Sequence, residues 1–271
     1  MPETILSWNG NAREIDTWMI ARLKQRCQQW RDAMDSYDLR GAVDASHFDL
    51  VKDLNWYRRR GGENPEVGKE ILRVWTHMIS IATPHIAEDW WKMMGNDDLV
   101  AGRVFELPDQ LTSAEKDALD AETYLRAFLE QARKVAKVAT KHIGNAPNSA
   151  TIHISRPWKK QLAISAIDHL NSGENIKAFA GKLSNQKFVT DENRGEIMKF
   201  WGKRMLPQVF KWSDEEKRMI ANDIDEEEIL TSASDFICSD LSLTSVIVEA
   251  GVVEVGRSGS AIPLAPSIVY S

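Results

Sequence analysis

The chain has 271 residues, 43% apolar and 27% charged, with a formal net charge of -6. That is enough for one large or two modest folded domains, with the composition of an ordinary globular protein. No run of about 18 apolar residues reads as a membrane span. The start, Met1-Pro2-Glu3-Thr4-Ile5-Leu6-Ser7, lacks the basic and apolar regions of a signal peptide. Cys27 and Cys238, far apart in sequence, read as small hydrophobes in a reducing compartment. The cytoplasm is the expected location. An acidic balance argues mildly against nucleic acid, but a binder need be basic on one face only.

The first helix is expected from about Ala12 to Ser36. Ile15, Trp18, Met19, Leu23, Cys27, Trp30 and Met34 recur at three- and four-residue steps, with Arg13, Glu14, Arg22, Lys24 and Arg31 largely opposite. A second helix runs from about Leu39 to Arg60 and ends at Gly61-Gly62. A third spans about Val67 to Ala82 on Ile71, Leu72, Trp75, Met78 and Ile79. Thr83 and Pro84 suit the start of a fourth, which stops near Gly95. Beyond an irregular stretch, Thr112 and Glu115 fit a capping box opening a long helix to about Ile143. That helix is acidic in its first half (Glu115, Asp117, Asp120, Glu122) and basic in its second, as its dipole favours.

Gly144-Asn145-Ala146-Pro147-Asn148 reads as a linker. After it, Ala150 to Ile154 alternates like a strand, followed by a helix from Pro157 to Leu170. Further helices cover about Asn175–Leu183, Asp191–Met205 and Ser213–Asp240. Strands return at Ser245–Glu249 and Val252–Val255. The last piece, Ile262 to Tyr270, contains Pro263 and Pro266 and can only be an edge strand. The fold class is therefore mainly α: a helical bundle over 1–145 and a small α/β domain over 146–271.

No phosphate loop, GxGxxG, HExxH, GxSxG or CxxC pattern is present, and no catalytic or metal-binding residue is assigned. His47, His77, His85, His142, His153 and His169 read as surface or packed side chains, and Asp225-Glu226-Glu227-Glu228 as a solvated helix face. What remains is a basic and aromatic theme. Arg58, Arg59 and Arg60 follow Trp56 and Tyr57 at a helix C-terminus. They fit dipole complementation and a phosphate clamp about equally. Arg156, Lys159 and Lys160 surround Trp158 at a helix start, and Lys199, Lys203 and Arg204 surround Trp201. For most of the ten tryptophans core packing is the better reading.

The order of segments resembles a known family. Arg13-Glu14-Ile15-Asp16-Thr17-Trp18-Met19-Ile20-Ala21-Arg22-Leu23 is similar to the opening helix of the anticodon-binding bundle in class I synthetases for Leu, Ile, Val and Met. Asp49-Leu50-Val51-Lys52-Asp53-Leu54-Asn55-Trp56-Tyr57-Arg58-Arg59-Arg60-Gly61 resembles the second helix of leucyl enzymes of archaeal and eukaryotic type. Ile81-Ala82-Thr83-Pro84-His85-Ile86-Ala87-Glu88-Asp89-Trp90-Trp91 resembles a further stretch of that bundle and is the most specific of the three. The tail, with Ala261, Pro263, Pro266, Ile268 and Tyr270, resembles the end of the same enzymes with different spacing.

The resemblance implies the C-terminal, tRNA-binding portion of a leucyl-tRNA synthetase, which positions leucine tRNA for ATP-dependent aminoacylation elsewhere. HIGH-like and KMSKS-like motifs are missing, so the chain alone is expected to be inactive. No cofactor is expected on it, with ATP and Mg held by the catalytic part. Its partners would be leucine tRNA and that catalytic half, either as a separate subunit or as sequence absent from this chain. The residues expected on tRNA are Arg58, Arg59, Arg60, Arg156, Lys159, Lys160, Lys203 and Arg204, with Ile268 and Tyr270 near bases. A free-standing tRNA- or protein-binding module, and the same part of an isoleucyl or valyl enzyme, stay open on sequence alone.

Overall fold

The computed structural model describes residues 13–105, 108–143, 145–173, 175–250 and 259–271. It divides into two compact units, Met1–Glu122 and Thr123–Ser271. In the first unit, α1 (Glu14–Asp35) opens with Asp16 bonding back to the Arg13 backbone. The second expected helix comes in two pieces, α2 (Leu39–Val43) and α3 (Leu50–Arg59), joined by a π-type segment at Asp44–Asp49. α4 (Pro65–Ile79) and α5 (Pro84–Met93) follow, both with proline in the first turn, where no N–H is needed. Thr83 stands at the start of α5, but its hydroxyl donates back to the Ile79 carbonyl rather than capping.

The expected apolar stripes form the core. Ile15, Trp18, Met19, Leu23, Cys27 and Trp30 pack with Leu50, Tyr57, Ile71 and Met78. Gly61 takes a φ of +76° to end α3, and a Cβ at Gly62 would lie 2.2 Å from the Tyr57 ring, so both positions need glycine. Tyr57 Oη donates to buried Asp16 at 2.6 Å, and the Asn64 amide side chain donates to the same carboxylate. The Cys27 thiol is pushed up to about 12 by burial and behaves as a hydrophobe.

His77 is packed, as its type suggested, stacked on Phe105 and edge-on to Trp91. Burial holds its imidazole below the ordinary 6.5. A histidine with a depressed folded pKa stabilises the fold above its unfolded value and loses that contribution as the solution acidifies through the folded one. Urea melts at descending pH below 6.5 should show the wild type losing stability faster than His77→Gln. Parallel curves for the two proteins would remove His77 as the cause.

The capping box at Thr112 and Glu115 is present, with Thr112 N donating to Glu115 and Glu115 N to the Thr112 hydroxyl. It opens α6 (Ser113–Ile143). The acidic first half of α6 was expected to serve the dipole. Instead Glu115, Asp120 and Glu122 are buried. Glu115 pairs with buried Lys24 at 2.8 Å, and Glu122 takes the Trp56 N–H at 2.7 Å and Arg60 at 2.9 Å.

In the second unit, β1 (Ser149–His153), β2 (Ser245–Glu249) and β3 (Ser267–Tyr270) form a sheet of order β2-β1-β3. β1 is parallel to β2 and antiparallel to β3. Among the described strands the terminal one lies at an edge, and it begins at Ser267, after both Pro263 and Pro266, so the strand is shorter than expected and the prolines stand outside it. The expected strand at Val252–Val255 lies outside the described residues. α7 (Pro157–Asn171) covers the expected helix, and α8 is Phe179–Leu183. The next stretch is α9 (Arg194–Phe200), a π-type turn at Trp201–Met205 and α10 (Leu206–Val209). The long helix expected over 213–240 is broken into α11 (Asp214–Ala221), α12 (Glu226–Ser232) and α13 (Ser234–Leu241). Asp223 at φ 56° ends α11, and Asp225 caps α12 through Glu228 N. Leu162, Ala166, Ile167, Phe179, Ile197, Trp201, Met205, Val209 and Trp212 make the core.

The acidic run at Asp225–Glu228 is not wholly solvated. Glu226 is buried, accepting from Tyr124 Oη at 2.9 Å and from Leu264 N at 3.2 Å.

Candidate nucleic-acid interface

Surface chemistry of the first unit concentrates at the C-terminal end of α3. Arg58 and Arg59 are exposed there. The Arg59 guanidinium lies 5.7 Å from the Trp56 ring centroid, and the Trp56 N–H is fixed by Glu122. An aromatic anchored by a buried carboxylate thus holds an exposed planar cation. Arg13 reaches the Gly61 carbonyl beside them. Arg60 departs from the expected clamp. Its guanidinium bonds Glu122 through Nε and Nη2 and is mostly enclosed. Two of the three consecutive arginines face solvent, and the third braces the helix end.

In the second unit, Lys203 and Arg204 are exposed on the π-type turn. Arg156 and Lys160 are half-buried and engaged, Arg156 with Glu196 at 3.7 Å and Lys160 with Asp223 at 2.7 Å.

Three expected contact residues are enclosed. Lys159 has 0% exposure, donates to the Gly259 and Ala261 carbonyls at 3.1 and 3.0 Å, and lies 4.7 Å from the Phe200 ring centroid. Ile268 and Tyr270 are both buried, and the Tyr270 hydroxyl donates to the Ala132 carbonyl at 2.8 Å. An ammonium enclosed by carbonyls cannot meet a phosphate, and a tyrosine hydroxyl spent on a main-chain carbonyl cannot read a base. All three hold the second unit together. The signal was present in sequence. Lys159 sits one helical step before Leu162 and Ala163 and two before Ala166, inside the apolar stripe of α7. Ile268 and Tyr270 share one face of a strand.

Among the described residues no group of three or more His, Cys, Asp or Glu is placed to hold a metal ion, and no helix is long and apolar enough to cross a membrane.

The described residues define a helical bundle joined to a small α/β unit, with arginine and lysine on exposed helix ends. The chain belongs to the family of anticodon-binding domains of tRNA ligases, whose profile matches residues 16–164. Three of its relatives carry the same name. It is 27% identical to a leucine–tRNA ligase of Pyrococcus furiosus over 96% of this chain and 25% of that protein. It is 28% identical to one of Methanococcus maripaludis (94% and 24%) and 28% identical to one of Archaeoglobus fulgidus (98% and 26%). The chain thus spans about a quarter of the length of the curated relatives it matches.

Proposed function

We propose that the chain is the C-terminal, tRNA-docking portion of a leucine–tRNA ligase. It would hold leucine tRNA while ATP-dependent aminoacylation proceeds on a catalytic part outside this sequence, in the cytoplasm. The observation that carries this reading is similarity to leucine–tRNA ligases along 94–98% of the chain, beyond the matched bundle itself. Both units would contribute. Arg58 and Arg59 would bind phosphates from the first, and Lys203 and Arg204 from the second, with Arg156 and Lys160 able to join by releasing their carboxylate partners. Binding at these remote points acts on the rate by orienting the acceptor end, not by touching the reacting atoms. ATP and Mg would belong to the catalytic part.

The test is binding of the isolated chain to leucine tRNA, with and without its long variable arm, across a salt series. The expected result is arm-dependent affinity falling steeply with salt. Arg58→Ala with Arg59→Ala should flatten the slope of log affinity against log salt by roughly one to two units. Equal affinity for both RNAs would remove the leucine-specific part of the reading. Absence of salt-dependent binding would remove the RNA part.

A further inference from the structure

The stretch from Arg194 to Lys211 carries five basic residues against one acid, Glu196, in a chain of net charge -6. Its geometry sorts them. Ile197, Trp201, Met205 and Val209 are buried at steps of four, the spacing that the π-type turn at Trp201–Met205 imposes on the helical stretch. With that repeat, Lys199, Lys203, Pro207 and Lys211 fall opposite the core, and all four are exposed. Beside this ridge runs a second register, Met198, Gly202, Leu206 and Phe210. Met198 is 37% exposed and Phe210 64%. A Cβ at Gly202 would meet nothing within 4 Å, so this register is open at Gly202, with half-buried Leu206 between it and Phe210. The acidic first turn of α11, Asp214 to Glu216, begins beyond Lys211 and bounds the basic face.

A lysine ridge beside an exposed aromatic and a bare glycine step fits one kind of ligand well. A nucleobase offers a flat π face to a phenyl ring, and the phosphates on either side of an unpaired nucleotide offer charge to the lysines. Two apolar side chains are too few to bury an amphipathic partner helix or enter a lipid surface, and the charge balance selects an anionic ligand. We propose that Phe210 stacks on an unpaired nucleobase of bound RNA, while Lys203 and Lys211 hold its flanking phosphates and Lys199, further along the ridge, meets the strand beyond. This rests on the reading of the chain as an RNA-docking portion, and adds to it a recognition element for single-stranded nucleotides rather than duplex.

The experiment uses the full chain and two RNAs: a hairpin with an unpaired apical loop, and a blunt duplex with the same number of phosphates. Phe210→Ala should weaken hairpin binding about ten-fold, leave duplex binding unchanged and leave the salt slope unchanged. Phe210→Tyr should restore the hairpin affinity. Lys203→Ala with Lys211→Ala should weaken both RNAs and flatten the slope by roughly one to two units. Phe210 is exposed, so an unchanged thermal melt is expected for its variants. Equal affinity of Phe210→Ala and wild type for the hairpin overturns the stacking element and leaves the docking reading standing. An equal loss on both RNAs also overturns it. Failure of the wild type to bind either RNA overturns both.

Discussion

Asp53→Ala is expected to destabilise the first unit by about 3–5 kcal/mol, read as a loss of cooperative urea stability. Asp53 is 2% exposed and accepts from two arginines of α1, Arg22 at 3.1 Å and Arg26 at 2.7 Å. Arg26 is itself buried, and its remaining partners are Asp49 at 3.1 Å and Gln29 at 2.7 Å. Taking away the carboxylate leaves a guanidinium that cannot reach water and cannot lose its proton. The cost is therefore mainly that of a buried charge stripped of its best-enclosed partner and left with the half-exposed Asp49, not the net worth of the ion pair. Asp53→Asn keeps the volume and one acceptor, so it should cost less than alanine. Arg26→Met in the Asp53→Ala background should recover part of the loss, because it removes the stranded charge. A loss under about 1 kcal/mol for Asp53→Ala would mean that Asp49 alone satisfies Arg26.

The contrast between what the residues announced and what they concealed follows from this pair. The stripes of α1 and α4 were legible because apolar residues at three- and four-residue steps have one place to go. The π-type segments were not, since a single wide turn shifts register without changing composition. Buried charge was the larger omission. Lys24 was placed opposite the apolar face, Glu122 on a helix's acidic half and Glu226 on a solvated face, and the burial of Arg26 and Asp53 was not foreseen, because such types are usually exposed. Apart from Gln29 beside Arg26, the side-chain partners given above lie 23 to 102 residues away along the chain. Position gave a weaker clue: Arg26 stands three residues after Leu23 and four before Trp30, and Glu226 four before Leu230, each on a buried stripe. At the candidate interface, Arg58, Arg59, Lys203 and Arg204 were legible as exposed cations. Phe210 was not, because an aromatic near Trp212 reads equally well as core.

Lys159 shows how the same distinction decides an experiment. Lys159→Ala is expected to cost about 3 kcal/mol or more in the second unit, because it strips a donor from the buried Ala261 carbonyl and from that of Gly259, and leaves a void where the side chain filled the core. The ammonium has 0% exposure, bonds Gly259 and Ala261 at 3.1 and 3.0 Å, and faces the Phe200 ring. Lys159→Glu should be worse, since it aims a carboxylate at those same carbonyl oxygens. Either variant would weaken RNA binding, and a binding assay alone would mistake that for a lost phosphate contact. The melt separates the two causes. If Lys159 is structural, the folded fraction of Lys159→Ala binds RNA with the wild-type salt slope, and affinity falls only as the folded population falls. A Lys159→Ala protein that melts like the wild type and has a slope flattened by about one unit would place the ammonium on RNA, and its burial here would then be a closed state. Lys203→Ala provides the opposite control. Its side chain is exposed on the π-type turn, so its melt should be unchanged while its slope falls.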